Sequence, residues 1–472
     1  MYQYGALAAI TLLAVLLRFY KLGEWSFWID EILTLNNIGA NYPTISEILQ
    51  NIPPSRIWFS LSLILSSGAA AILGVSEWSG RIIPAIIGIL SIPALYFPVK
   101  GIFGSRVGLI TVLLLAVSPW HIYWSQNARF YTSLMLFYSL ALLSLYLGLE
   151  RDNPKYLFAF IIFFYLALSE RLFAFFIVPV VASYLALLTF SPLPKPPGLN
   201  WRNLLIVFSP LIVFLIYEGY TLIRTGSSMI VYAMPVFWGK PIDSPIRLLV
   251  LIVFNFGVPL VAIALFGCIY FLLRKSRSGL FFFTGAVIPV VILVALNPFT
   301  FTVDRYVFVA LPSWIILGAL TVNELVRNAQ GSAKILAIGV LFLLIADAAG
   351  ANLMYYQLNN GNRLDWRGAM RYVRDNKMEG DLVVATRKHL GQYYLGEDVV
   401  DWKDFDPDLK EDLDKRIWFI IDSEGVWHGS KADLKQDWLE ENAQLLQFWY
   451  LRVREQINLR IFMFDPLQKV AN

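Results

Sequence analysis

Trp58-Phe59-Ser60-Leu61-Ser62-Leu63-Ile64-Leu65-Ser66-Ser67-Gly68-Ala69-Ala70-Ala71-Ile72-Leu73-Gly74 is the segment on which the topology of this chain turns. It is an apolar run, and whether it crosses the bilayer sets the side on which every later loop falls. It carries Ser60, Ser62, Ser66 and Ser67 and follows Pro53-Pro54. If it crossed, the basic segments along the chain would alternate between the two faces. If it does not, Lys100/Arg106, Arg151/Lys155, Lys195/Arg202, Arg274/Lys275/Arg277 and Arg327/Lys334 all fall on one face. We therefore read it as a juxtamembrane or re-entrant helix inside a long first loop, residues 21–81.

Apolar runs of spanning length recur on either side of it. They lie near residues 4–20, 82–99, 107–124, 130–149, 156–170, 172–190, 203–222, 248–273, 279–297, 305–326 and 335–352, about eleven transmembrane helices in all. The first run has no basic leader and no small-residue cleavage site, so it reads as a retained helix. With this topology the inner loops hold eleven Lys/Arg and three acids, and the outer segments of the body hold ten of each. That asymmetry is the positive-inside pattern. It places the first loop and the C-terminal region on the extracytoplasmic side of the cell membrane. The inner loops are too short to build a site, so polar chemistry is expected on the external face.

Composition agrees. Of the 472 residues, 57% are hydrophobic and only 15% charged, against ~25% charged in a soluble domain. A single soluble globular protein is thereby excluded. Residues 1–355 hold 21 Lys+Arg and 13 Asp+Glu, whereas residues 356–472 hold 17 and 21. The expected organisation is a membrane body, 1–355, followed by a water-soluble domain, 356–472. The basic excess sits in loops between apolar runs, so it is no sign of a nucleic-acid partner. The single cysteine, Cys268, excludes a disulfide framework. His121, His389 and His428 are too scattered in sequence for a zinc site. No phosphate-cradling glycine motif is present.

The C-terminal region reads as α/β. Leu364–Asn376 has helical amphipathicity with Asp365 as N-cap, and Lys431–Asn442 forms a second helix. Asp381–Ala385, Ile417–Ile421 and Leu459–Phe464 read as short buried strands.

Four constellations on the outer side carry chemistry. Asp30-Glu31 follows the interfacial tryptophans of Trp25-Ser26-Phe27-Trp28. Ser118-Pro119-Trp120-His121-Ile122-Tyr123-Trp124-Ser125-Gln126-Asn127-Ala128-Arg129-Phe130-Tyr131 joins two spans and ends on an arginine beside aromatics. Asp304-Arg305-Tyr306 repeats the theme, and Ser169-Glu170-Arg171 occupies a tight turn whose plain reading is a local ion pair. A carboxylate can take a proton from an attacking hydroxyl. Arginine's planar fork suits a departing phosphate. Acids and arginines beside lipid therefore suit a lipid-phosphate substrate.

Trp28-Ile29-Asp30-Glu31, Pro53-Pro54 before an apolar helix, and Arg81 at the next span form one set of marks. SPWHIYWSQNARFY (118–131) and Arg305-Tyr306 followed by Pro312 form a second. Together, over most of residues 1–350, they resemble the GT-C glycosyltransferases of the protein O-mannosyltransferase and lipid A aminoarabinose transferase superfamily. The resemblance implies a polytopic α-helical enzyme that uses a polyprenyl-phosphate-linked sugar donor, with inverting transfer to a lipid, glycan or protein acceptor. It implies Asp30 as base with Glu31 as its partner. Arg129 and Tyr131 match its A-R-x-Y motif, and Arg305 and Tyr306 its late R-Y motif. Two departures stand out. Ile52 replaces a basic or His residue before Pro-Pro, with Arg56 as the substitute phosphate contact. Glu170-Arg171 replaces a His-aromatic pair, which opens Glu170 as a contact for an acceptor or a divalent cation (Mg or Mn). No other cofactor is implied. A transporter or flippase for lipid-linked glycans, and a glycan polymerase or ligase, are the alternative activities. The former would need midplane polar groups and internal repeats, and neither is apparent.

Overall fold

A backbone in hydrocarbon must satisfy its own hydrogen bonds, so apolar runs of this length fold as helices. The computed structural model describes residues 2–36, 60–226, 244–328, 330–406, 414–423, 432–452 and 454–467. Its helices are, in chain order, α1 (Tyr2–Phe19), α2 (Ile29–Asn36), α3 (Leu61–Leu73), α4 (Glu77–Phe103), α5 (Ser105–Val117), α6 (Pro119–Ser125), α7 (Tyr131–Arg151), α8 (Pro154–Glu170), α9 (Ile177–Phe190), α10 (Trp201–Thr225), α11 (Pro245–Phe256), α12 (Val258–Leu273), α13 (Arg277–Leu296), α14 (Leu311–Asn328), α15 (Ser332–Leu353), α16 (Trp366–Asn376), α17 (Lys388–Leu395) and α18 (Ala432–Asn442). Short 3-10 segments, Leu172–Phe176 and Asp304–Ala310, lead into α9 and α14.

Among the described residues eight helices are long and apolar enough to cross a membrane, or ten if each of two bent pairs is one span. The eleventh expected span is α8, whose 17 residues give only ~26 Å at 1.5 Å per residue. Apolar α3 has 13 residues and falls short of crossing, as expected of the segment at 58–74.

The bends correct two expected spans. Residues 248–273 are not one rod: α11 and α12 meet at 94°. Gly257 sits between them at φ 97, in the region that glycine alone enters freely. Pro259, in the first turn of α12, cannot donate back into α11. Residues 107–124 break by 60° between α5 and α6. There Pro119 opens the new helix and the Ser118 hydroxyl accepts from the His121 N–H.

The chain divides into two compact units. The first comprises Met1–Tyr20, Thr44–Gly68 and Ile82–Ala351; the second comprises Lys21–Pro43, Ala69–Arg81 and Asn352–Asn472. In the first unit α7 and the Asp304–Asn328 segment are mostly buried, whereas α1, α10 and Lys334–Leu358 present most of their surface outward. Those outward surfaces carry Leu16, Ile216, Ile223, Phe342 and similar side chains, as lipid contact requires.

The second unit is α/β, and it includes two stretches of the first loop. Strands β1 (Leu382–Ala385), β2 (Val400–Asp401), β3 (Ile417–Asp422), β4 (Gln444–Leu451) and β5 (Arg454–Phe464) form a sheet of order β2-β1-β3-β5-β4. β1 pairs parallel with β2 and β3, while β5 pairs antiparallel with β3 and β4. One face packs Trp418, Ile420, Leu459 and Ile461 against Met370 and Val373 of α16 and Leu390 of α17. Phe27 and, from α2, Ile32 and Leu35 belong to that same core. The opposite face packs Phe419 and Phe462 against Trp402, Phe405 and Leu439 of α18.

Candidate functional site

In the second unit, α2 begins with Asp30 and Glu31 in its first turn. Acids there complement the helix dipole. Glu31 also accepts from the Trp28 N–H at 2.9 Å, while Trp28 O accepts from the Glu31 N–H at 2.9 Å, a reciprocal cap. Glu31 is fully buried and Arg81 grips it as a fork. Arg81 Nε donates to Oε1 at 2.8 Å and a terminal nitrogen donates to Oε2 at 2.9 Å. The remaining Arg81 donors reach the carbonyls of Leu22, Trp25 and Ser26 at 3.2, 2.9 and 2.9 Å. Arg363 stands 3.3 Å from Glu31 Oε2. The sequence expectation paired Glu31 with Asp30 as catalytic. The structure places Glu31 in a buried ion pair with Arg81. Asp30 keeps a partly exposed position one residue earlier.

The segment before α2 is fastened to the same unit. The Ser26 hydroxyl donates to Asp365, the N-cap of α16, at 3.1 Å, and accepts from the Arg367 N–H at 3.0 Å. The Phe27 N–H donates to the Tyr394 hydroxyl at 2.6 Å, which itself donates to Glu77 at 2.9 Å. Burial, with Glu77 alongside, pushes the Tyr394 hydroxyl far above its ordinary range, so it stays protonated and keeps donating. Trp25 is buried between Tyr355 and Tyr356, with centroids at 5.0 and 5.9 Å. Gly361, at φ +62, lies against its indole; a Cβ there would come within 2.4 Å of that ring. Sequence reading found Arg81 only as the start of a span. It missed Arg363, Tyr394 and Asp365 as supports, because nothing local links them to Asp30.

In the first unit, the stretch 118–131 resolves into two jobs. Its first part anchors α1. Breaking the helix at Ser118 frees carbonyls, and buried Arg18 donates to those of Leu115 and Ala116 at 3.3 and 3.0 Å. Arg18 also donates to His121 Nδ1 at 2.5 Å, which leaves the ring proton on Nε2. The Gln126 amide donates to the carbonyls of Arg18 and Tyr20 at 2.9 and 2.8 Å, closing the end of α1. The second part presents Arg129 at the start of α7. Its guanidinium lies 5.2 Å from the Phe130 ring centroid. Tyr131 is buried against Trp124 and Phe130 at 4.1 and 4.4 Å.

Arg305 and Tyr306 lie in the 3-10 segment Asp304–Ala310, which packs against α7 and against Leu172–Phe176. Tyr306 stacks on Phe173 at 4.1 Å, and Asp304 accepts from the Asn255 amide. Arg171 sits 4.6 Å from the same Phe130 ring that faces Arg129. The structure thus gathers Arg129, Tyr131, Arg305 and Tyr306 on neighbouring elements of one unit, with Arg171 among them.

Glu170 is directed elsewhere. It is buried and accepts from the Ser60 hydroxyl at 2.6 Å, the Ser62 N–H at 2.9 Å and the Ser62 hydroxyl at 2.5 Å. Its carboxylate caps the N-terminus of α3. These bonds stand in place of the local ion pair with Arg171. Among the described residues no three His, Cys, Asp or Glu side chains come together in a way that could hold a metal ion. Arg56 lies outside the described residues.

A sequence profile for a family described as dolichyl-phosphate-mannose-protein mannosyltransferase matches residues 53–217. No curated protein sequence matches the chain. Solved structures align with it nearly end to end. ArnT from Cupriavidus metallidurans in the apo state is 14% identical with a TM-score of 0.59, covering 98% of both chains. The same protein bound to undecaprenyl phosphate gives 0.57 at 14% identity over 99% of both. The archaeal oligosaccharyltransferase AglB from Archaeoglobus fulgidus, in complex with an inhibitory peptide and a dolichol-phosphate, gives 0.53 at 13% identity. That alignment covers 95% of this chain and 73% of that one. The chain therefore has the GT-C fold, as its sequence marks implied.

Proposed function

We propose that this protein is a membrane glycosyltransferase that moves a sugar from a polyprenyl-phosphate-linked donor to a lipid, glycan or protein acceptor. The observation that carries the reading is the near end-to-end likeness to GT-C structures, with TM-scores of 0.59 and 0.57 over 98% and 99% of both chains. Asp30 lies partly exposed in the first turn of α2. The GT-C likeness supports the reading, since those relatives were solved with undecaprenyl phosphate or a dolichol-phosphate.

In this reading the Asp30 carboxylate takes the proton from the acceptor's nucleophilic group as that atom attacks the anomeric carbon. The bond between anomeric carbon and phosphate oxygen breaks on the opposite side, so configuration inverts. The polyprenyl phosphate leaves as an anion and needs no acid to protonate it. Arg129 and Arg305, with Tyr131 and Tyr306 beside them, hold that phosphate and favour the charge it gains. Arg56 joins them as a further phosphate contact. Glu31 and Arg81 act by fixing the turn that carries Asp30. The charge asymmetry of the loops supports an extracytoplasmic face for this chemistry.

Mass spectrometry of envelope lipids and glycans, from cells with and without this protein, tests the reading. One glycoconjugate should lose a sugar, and the matching lipid-phosphate sugar should accumulate. Identical profiles in both strains would contradict it.

A further inference from the structure

Three hydrogen bonds and two ring contacts converge on one turn of the first unit, and none of them was legible from its sequence. Between α8 and the 3-10 segment Leu172–Phe176 the chain makes a single extended step, Arg171 at φ −165, ψ 155. An extended residue sends neighbouring side chains to opposite sides. Glu170 points inward to Ser60 and Ser62 at the start of α3. Arg171 lies on Phe130, next to Arg129 in the chain. Phe173 stacks on Tyr306, next to Arg305 in the chain. This one turn therefore touches the neighbours of both arginines assigned above to the phosphate.

We propose that Glu170 is a positioning residue for donor binding: by capping α3 it locks the 169–173 turn, which holds Arg129 and Arg305 in register with one another. The inference rests on the phosphate reading of those arginines. Its physical basis is the expense of the arrangement. A buried carboxylate is costly unless fully hydrogen-bonded. Here it accepts two hydroxyl protons and one backbone N–H. Glu170 thus ties the end of α8 to the start of α3 at one point. A bidentate phosphate grip tolerates little displacement, since both guanidinium planes must meet the same group.

The test is binding of a polyprenyl phosphate to the full-length chain in lipid nanodiscs. Glu170→Gln keeps the shape but turns an amide N–H toward hydrogen-bond donors. Losing a charge-assisted bond at this point loosens the turn, so affinity should fall roughly tenfold. Phe173→Leu, which retains bulk but loses the stack on Tyr306, should weaken binding in the same direction and serves if Glu170→Gln folds poorly. The double variant should lose less than the product of the two, because both act through one turn. A merely structural role would lower the yield of folded protein and leave the affinity of the folded fraction unchanged; that result overturns the proposal. Arg129→Ala separates the two levels. If it loses binding while Glu170→Gln and Phe173→Leu keep wild-type affinity, the proposal fails and the phosphate reading stands. If Arg129→Ala also binds normally, the phosphate reading itself fails.

Discussion

Arg81→Met exposes the logic of the acidic turn. Arg81 and Glu31 are both fully buried, and Arg81 spends its donors on Glu31 and on three backbone carbonyls. Methionine fills similar space with none of those donors. Breaking a buried ion pair by removing one partner costs ~3–5 kcal/mol, because the other charge is left uncompensated. Arg363 still faces Glu31 at 3.3 Å, so the lower end applies: about 3 kcal/mol, or roughly a hundredfold in the local opening equilibrium. Hydrogen exchange followed by mass spectrometry reads this directly. Peptides covering residues 22–36 should exchange faster, while β3 peptides serve as the internal reference. The double variant Glu31→Gln/Arg81→Met should be less perturbed than Arg81→Met alone, since the stranded charge has gone. Transfer should suffer in kcat, with polyprenyl phosphate affinity preserved, because Asp30 rides on the turn that loosens. Unchanged exchange in 22–36, or a double variant equal to the sum of the singles, would refute the argument.

Other expectations follow from neighbouring contacts. Tyr394→Phe leaves the Phe27 N–H and Glu77 without their shared hydroxyl; a cost of about 1–2 kcal/mol should appear as faster exchange at residues 26–30. Burial works to raise the Asp381 carboxyl, but bonds from Arg416, the Met378 N–H and the Trp418 indole outweigh it and hold the group below its ordinary value. A depressed carboxyl stabilises the fold above its unfolded pKa of ~3.9 and loses that contribution as pH falls through the folded value. Near-ultraviolet circular dichroism should therefore show the α/β unit weakening in acid, with a shallower acid limb in Asp381→Asn. In intact cells, a cysteine placed at Lys275 should resist an impermeant thiol reagent and one at Glu397 should react; the reverse labelling would invert the assigned orientation.

What the sequence made legible depended on how local its cause was. The spans were readable because hydropathy over ~20 residues is a property of the run itself. Asp365 as an N-cap and the strands around Leu382–Ala385 and Ile417–Asp422 were readable for the same reason. The break at Gly257 was signalled by glycine and proline two residues apart, but the unbroken apolar run around them hid it. Strand β4 escaped notice because its exposed Leu445, Phe448 and Tyr450 blur the alternation expected of an edge strand. Among candidate site residues, Asp30, Arg129 and Arg305 were singled out as candidates by residue type near helix ends. The fates of Glu31 and Glu170 were not, since each is decided by partners far away in sequence: Arg81 and Arg363 for one, Ser60 and Ser62 for the other. Side chains that look alike as chemistry separate only when burial and partners are known.

The most direct measurement of the central claim compares wild-type protein with Asp30→Asn, both reconstituted in lipid, for transfer of labelled sugar from a polyprenyl-phosphate-linked donor. A positioned base contributes about 10²–10⁴-fold, so the variant should fall by at least about a hundredfold while binding polyprenyl phosphate normally. Transfer at a near-normal rate by folded Asp30→Asn would contradict the account.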